Sequence, residues 1–324
     1  MTTERYPVGA AVLHPDWPEA RFNVSGMFVH HQLVNGLINL IKDSFDSQLP
    51  IEAIHGAPAV SWNAGRWSRS SFNQAQFKQI LSFLSSRNVG YFPTFTNHLV
   101  TDNDLADPTC NYILQCISER PDLNGVIVTS DLLSDYIARK YPAVRQIASV
   151  IKVTLENGRG RADYYRELAK RFHRYVIHPD DNRDPKLLDQ LDRDKTEILV
   201  NENCVADCPT RAHHYDTYAQ MQRASSPQEQ QRIGQELNRI IARCPSPGRQ
   251  DRLANWPRNC NLTRPEVKAI YDQGFRHFKL QGRGDDPFCF AYDLIRYMLE
   301  PDFVAPVVHK FVTQWLGNVV VRPS

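Results

Sequence analysis

Four cysteines in the second half of the chain, Cys204, Cys208, Cys244 and Cys260, stand where thiolates could share a metal centre. Each adjoins a Pro or Asn turn: Asn203 before Cys204, Pro209 after Cys208, Pro245 after Cys244, and Asn259 and Asn261 around Cys260. Thiolates gathered this way bind soft centres, either zinc or an iron–sulfur cluster. A structural zinc site normally uses two compact knuckles, and only the Cys204/Cys208 pair is compact. A [4Fe–4S] cubane accepts thiolates from well-separated loops, so the spacing favours the cluster, with zinc as the alternative. Cys110 and Cys116 share a helix-period stretch with Ile113 and Ile117 and are expected in the core. Cys289 is a reserve ligand.

The elements that must position these residues alternate regularly. Apolar or β-branched runs at 22–27, 51–55, 90–95, 125–129, 146–150, 175–178, 197–200 and 277–280 are separated by helix-period stretches. Asp107-Pro108, Asp184-Pro185, Ser226-Pro227 with Glu229, and Thr263 with Pro265 and Glu266 are helix-start signals. Eight strands with intervening helices predict a (β/α)8 TIM-type barrel of the α/β class. Residues 1–300 form the expected barrel, with a long insertion at 210–259 between strands seven and eight that contributes ligands. A helical extension is expected at 301–324. A helix starting at Pro227 should run to about Arg243 within the insertion. No strand is followed by a Gly-x-Gly-x-x-Gly turn, so a dinucleotide site has no support.

In such a barrel the chemistry gathers at the C-terminal strand ends. Those ends offer His55 and Arg66, then Thr96, Asn97 and His98, Asp131, Lys152, His178 and Asp180, Asn201 and Glu202, and finally Lys279, Gln281 and Arg283. His55, Asp131, Glu202 and Lys279 are the acid–base or positioning candidates. Arg66 and Arg283 suit an anionic substrate group, because a guanidinium binds carboxylate or phosphate bidentately; Asn97 and His178 complete the substrate-binding set.

Composition narrows the class. Over 324 residues the net charge is only +2, which gives no strong nucleic-acid signature. The first residues lack a basic start and apolar core, and no apolar run is long enough to span a bilayer. The expected compartment is the reducing cytoplasm, and seven cysteines are expected to be metal-binding or buried rather than disulfide-bonded.

Several segments resemble a known family. The strand from Asn124 ending at Asp131, the stretch from Tyr141 to Ser149, the His178-Pro179-Asp180 turn, and Lys279-Leu280-Gln281-Gly282-Arg283 with the later Tyr292 are similar to the collagenase-like peptidase superfamily. That family includes iron–sulfur proteins of oxygen-independent ubiquinone hydroxylation and of RNA hydroxylation. The resemblance implies a barrel with a four-cysteine [4Fe–4S] site and a hydroxylase-type oxidoreductase acting on a small or nucleoside-like substrate. It also implies a hetero-partner of the same family. Asn201-Glu202-Asn203 stands where the family has a His-Gly-Ala-type turn, and Gln281 where it has an acidic residue. Two alternatives follow: a zinc- or cluster-stabilised partner subunit without chemistry of its own, and the peptidase of the family name. The peptidase lacks a His-Glu-x-x-His or Gly-x-Ser-x-Gly motif here.

Overall fold

The computed structural model of the chain describes residues 12–64, 72–244, 259–282 and 286–320. Its centre is a parallel barrel of β1 (Arg21–Ser25), β2 (Ile51–His55), β3 (Gly90–Phe92), β4 (Thr94–Phe95), β5 (Gly125–Val128), β6 (Arg145–Ala148), β7 (Arg174–Val176), β8 (Thr196–Leu199) and β11 (His277–Leu280). The sheet runs in the order β3-β2-β1-β11-β8-β7-β6-β5-β4. Its two ends, β3 and β4, are one barrel strand interrupted at Pro93, so the circle of eight strands closes there. Proline has no N–H to give the ladder, and its carbonyl accepts from Ile127 N at 2.9 Å. Before Pro93 the strand pairs with β2, and after it with β5. Each of the eight strands expected from the sequence is present.

Alternation decides what each strand turns inward. Outward residues such as Phe22, Val24, Ile54, Val126, Ile198 and Phe278 pack beneath the helical ring in one continuous core. Fully burying each such side chain contributes roughly 1.5–3 kcal/mol. Inside the barrel the apolar packing is small: Ala53, Phe92, Ile127, Ile147, Val176 and Leu199. The rest of the lumen is polar.

The helices start where cap chemistry places them. Asp107 accepts from Cys110 N at α3 (Pro108–Ser118), and Thr263 and Glu266 form a full capping box at α10 (Arg264–Asp272). Ser226 caps α9 (Pro227–Ala242), but Glu229 reaches back to Ser225 N rather than closing a box with Ser226. Within the insertion, α9 packs antiparallel against α8 (Arg211–Arg223). The C-terminal helices are α11 (Pro287–Met298) and α12 (Pro301–Val320). Among the described residues, no helix is long and apolar enough to cross a membrane.

An element not expected from the sequence follows β8. Asn201–Val205 (β9) pairs antiparallel with Asn259–Asn261 (β10), and Leu262 N donates to Val200 O at 2.8 Å. This ribbon stands on the rim beyond the barrel and carries Cys204 and Cys260 on hydrogen-bonded neighbours.

Candidate functional site at the barrel mouth

The C-terminal strand ends surround a cavity of about 190 Å³. His55, Glu202, Cys204 and Lys279 line it, with Ser25, Thr94 and Thr96, an apolar side of Ile127, Val150, Ile151 and Leu199, and an α8 wall containing Arg211, His214, Tyr215 and Tyr218. Gly56 lets the chain turn behind His55. Its φ is +154°, and a Cβ there would lie 3.0 Å from Met27 O.

Beneath the cavity runs a column of buried polar groups. Lys279 Nζ and Asn23 Nδ2 both donate to Glu197 Oε1 at 3.2 Å. Asn23 Oδ1 must then face His55 Nδ1, at 2.9 Å, because a carboxylate can only accept. His55 therefore carries its proton on Nδ1 when neutral. Deeper, Arg174 lies 3.8 Å from Glu197 Oε2 and forms a two-pronged pair with Glu52, which His277 also approaches at 3.5 Å. Burial pushes Lys279 below the usual lysine range, and Glu197 opposes this only in part.

The ribbon side is organised by Arg211, which is 4% exposed. Its guanidinium donates to Val205 O at 2.8 Å and twice to Asp180 Oδ1 at 3.2 Å, lies 2.9 Å from His178 Nε2, and reaches Cys260 Sγ at 3.6 Å. Cys260 Sγ donates to Asp180 Oδ1 at 3.0 Å. Burial and that carboxylate push the Cys260 thiol up to about 12. Burial and the Arg211 charge take His178 down to about 4.

Cys204 and Cys208 form a hydrogen-bonded thiol pair. The Cys204 thiol donates, burial raises it further, and Cys208 is lowered to about 5 despite its own burial. The pair thus shares one proton near neutrality. In chelator-treated, reduced protein, iodoacetamide should label Cys208 with a half-point near pH 5. Cys204→Ala should move that half-point up towards the ordinary thiol value, about 8.5. Labelling that rises only at alkaline pH in both proteins would contradict the pairing.

The structure sorts the expected residues. His55, Glu202 and Lys279 line the cavity; Glu202 Oε1 accepts from Cys204 N and Gln281 Nε2, both at 2.9 Å. Asp131 does not line it. Its half-exposed carboxylate opens α4 (Asp131–Lys140) and pairs with Lys152 at 2.9 Å and Arg171 at 2.8 Å. Asn97 braces a loop instead, donating to Ser61 O and accepting from Leu99 N. His178 lies behind the wall, against Arg211. Arg66 and Arg283 lie outside the described residues. Cys110 and Cys116 are buried in α3, as expected, and Cys289 is exposed on α11.

Of the four expected ligands, two sulfurs are shown together. Among the described residues, no three His, Cys, Asp or Glu side chains are gathered around a point that could hold an ion. Residues 245–258, which join Cys244 to Cys260, lie outside the described residues. Cys244 follows the last turn of α9. His213 on α8 faces Glu236 on α9 at 3.5 Å.

Arg211, Glu197, Arg174, Glu52 and Asn23 are the functional-site residues that sequence reasoning missed. Arg211 gave a signal: a cation in a helix's first turn opposes the macrodipole, so it needs a tertiary reason.

No protein-family model matches the sequence, and no curated protein is similar to it. Among solved structures, the chain is similar to the U32 peptidase Mk0906, with a TM-score of 0.49 and 12% identity over 83% of this chain and 94% of that one. It also resembles the C-terminal domain of a "putative chitinase" from Desulfitobacterium hafniense DCB-2, with a TM-score of 0.32 and 11% identity over 56% of this chain and 66% of that one. These are likenesses of chain course, and no activity is drawn from them.

Proposed function

We propose that the barrel mouth is the active site of an oxidoreductase in which Cys204, Cys208, Cys244 and Cys260 hold a [4Fe–4S] cluster. The substrate is small or nucleoside-like, and the expected reaction is hydroxylation without dioxygen. One observation carries the reading: Cys204 lines the cavity and interacts with Cys208, so a group held by the pair would border the substrate space. The donor set is all thiol, the chemistry such a cluster takes; Cys204 and Cys208 are the two that already interact, and Cys260 shares the β9–β10 ribbon with Cys204.

When bound, such a cluster supplies one-electron transfer beside the cavity. The chain's own residues do the rest. His55, with its proton fixed on Nδ1 by Asn23, presents Nε2 as the ring's acceptor at a cavity-lining position. Lys279 Nζ gives one hydrogen bond to Glu197 and has two further protons to donate. Gln281 and the Cys204 N–H hold Glu202 in one orientation at the rim. Tyr215, Tyr218 and His214 form an aromatic wall beside the cavity, with His214 stacked on Tyr218 at 5.0 Å between centroids.

Anaerobic purification tests the proposal. The protein should be brown and carry about four iron and four sulfide per chain, and Cys204→Ala and Cys208→Ala should lose both. A colourless protein whose reconstitution adds no iron would end the reading. Stoichiometric zinc in its place would instead support a metal-stabilised partner subunit.

A further inference from the structure

The floor of the mouth holds more hydrogen-bond donors than the protein uses. Ser25 Oγ, Thr94 Oγ1 and Thr96 Oγ1 are buried without a hydrogen-bond partner among the described residues, and all three residues line the cavity. Ser25 is 2% exposed and Thr96 4%. A buried hydroxyl left without a partner keeps its desolvation cost uncompensated, so three beside one cavity point to a partner that arrives from outside.

Their placement is not scattered. Lys279 on β11, Ser25 on β1, His55 on β2, and Thr94 and Thr96 on and after β4 follow one another around consecutive barrel strands. The facing arc, Ile127, Val150, Ile151 and Leu199, is apolar. The mouth therefore has a donor-rich side and a greasy side.

Lys279 reaches this floor as a paired ammonium. The closest contacts join Arg174 to Glu52 and Lys279 to Glu197, at 3.2 Å for the latter, while Arg145 stands 3.7 Å from Glu52 at the opposite end of the strands. One hydrogen bond to Glu197 leaves Lys279 Nζ two N–H groups for the cavity it lines. Glu202 sits on the ribbon side, held by Cys204 N and Gln281.

We infer that Lys279 Nζ and the Ser25, Thr94 and Thr96 hydroxyls bind the carboxylate of the substrate. Its apolar body lies between Ile127, Val150, Ile151 and Leu199 and the Tyr215–Tyr218 wall. This deepens the reading of the mouth as a substrate site and does not depend on which metal the cysteines hold. A carboxylate accepts from the two spare Lys279 N–H groups, and its remaining lone pairs satisfy the orphaned hydroxyls.

Benzoate is the probe and benzamide, of the same shape without the charge, its control. Binding is measured by calorimetry on full-length protein purified anaerobically, with iron determined on the same sample. Iron content then judges the cluster, and benzoate judges the floor. Benzoate should bind saturably, and benzamide at least tenfold more weakly. Ser25→Ala and Thr96→Val should each weaken benzoate about fivefold, while the melting temperature of the unliganded protein holds or rises, because each change removes an unsatisfied hydroxyl. Absence of saturable benzoate binding, equal binding of benzamide, or unchanged benzoate affinity in both hydroxyl variants would overturn the assignment.

Discussion

Arg174→Met should destabilise the protein by about 3–5 kcal/mol, because it leaves Glu52 and Glu197 buried without their shared cation. Arg174 is 2% exposed and Glu197 is fully buried, so water cannot compensate. For a chain of this size the melting temperature should drop by roughly 10 °C. Adding Glu52→Leu to the variant should recover much of the loss, since an apolar replacement spares one of the stranded charges. Acid behaviour gives a second readout. Burial alone would raise the Glu52 carboxyl, but hydrogen bonds from His277 and Arg174 overcome it and hold the group well below its ordinary 4.5. A carboxyl lowered by folding contributes stability that is complete above its unfolded value and is lost as pH falls towards the folded one. Wild-type stability should therefore decline below about pH 4.5, and the Arg174→Met protein should show a shallower decline. Equal melting temperatures at neutral pH would show that the column is not an energetic unit.

The second large effect is expected at Arg211. Arg211→Met keeps the stem length but removes the donors to Val205 O and Asp180, and the charge beside His178 and Cys260. Asp180 retains Arg159 at 3.0 Å, so the buried carboxylate is not left alone. A loss of about 3 kcal/mol is the expected scale for breaking one side of such a buried pair. It should concentrate in the β9–β10 ribbon: amide hydrogens of β9 should lose protection while those of β1 and β5 keep theirs. Uniform protection across the ribbon and the barrel would show that Arg211 merely fills space.

The barrel was legible because its strands obey a simple alternation, with enough β-branched and aromatic residues outward to mark all eight. The lumen was harder to read. Glu197 opens an otherwise apolar run, Glu197-Ile198-Leu199-Val200, and the run was read as one apolar strand, although alternation puts Glu197 on the face of Leu199. Glu52 and Arg174 are masked in the same way by apolar neighbours. The ribbon was invisible for another reason. Asn201-Glu202-Asn203 and Asn259-Cys260-Asn261 have turn composition, and they pair only because residues far apart in sequence meet on the rim. Strand-end logic found His55, Glu202 and Lys279, but it could not tell them from Asp131 and Asn97. Those serve as a helix-start ion pair and a loop brace, the ordinary uses of polar residues after a strand.

The mouth is assembled by two different routes along the chain. Its floor gathers single residues from Ser25 to Lys279, one or two per strand, so every floor position is tied to the register of the whole barrel. Its wall comes from one continuous stretch, Glu202 to Tyr218. Substitutions in α8 can therefore reshape what the cavity encloses without disturbing strand pairing, whereas a change of floor chemistry must be accommodated around the entire circle. Grasping a shared head group and discriminating between bodies are separable properties in this architecture, and divergence within it should run mainly through the hairpin.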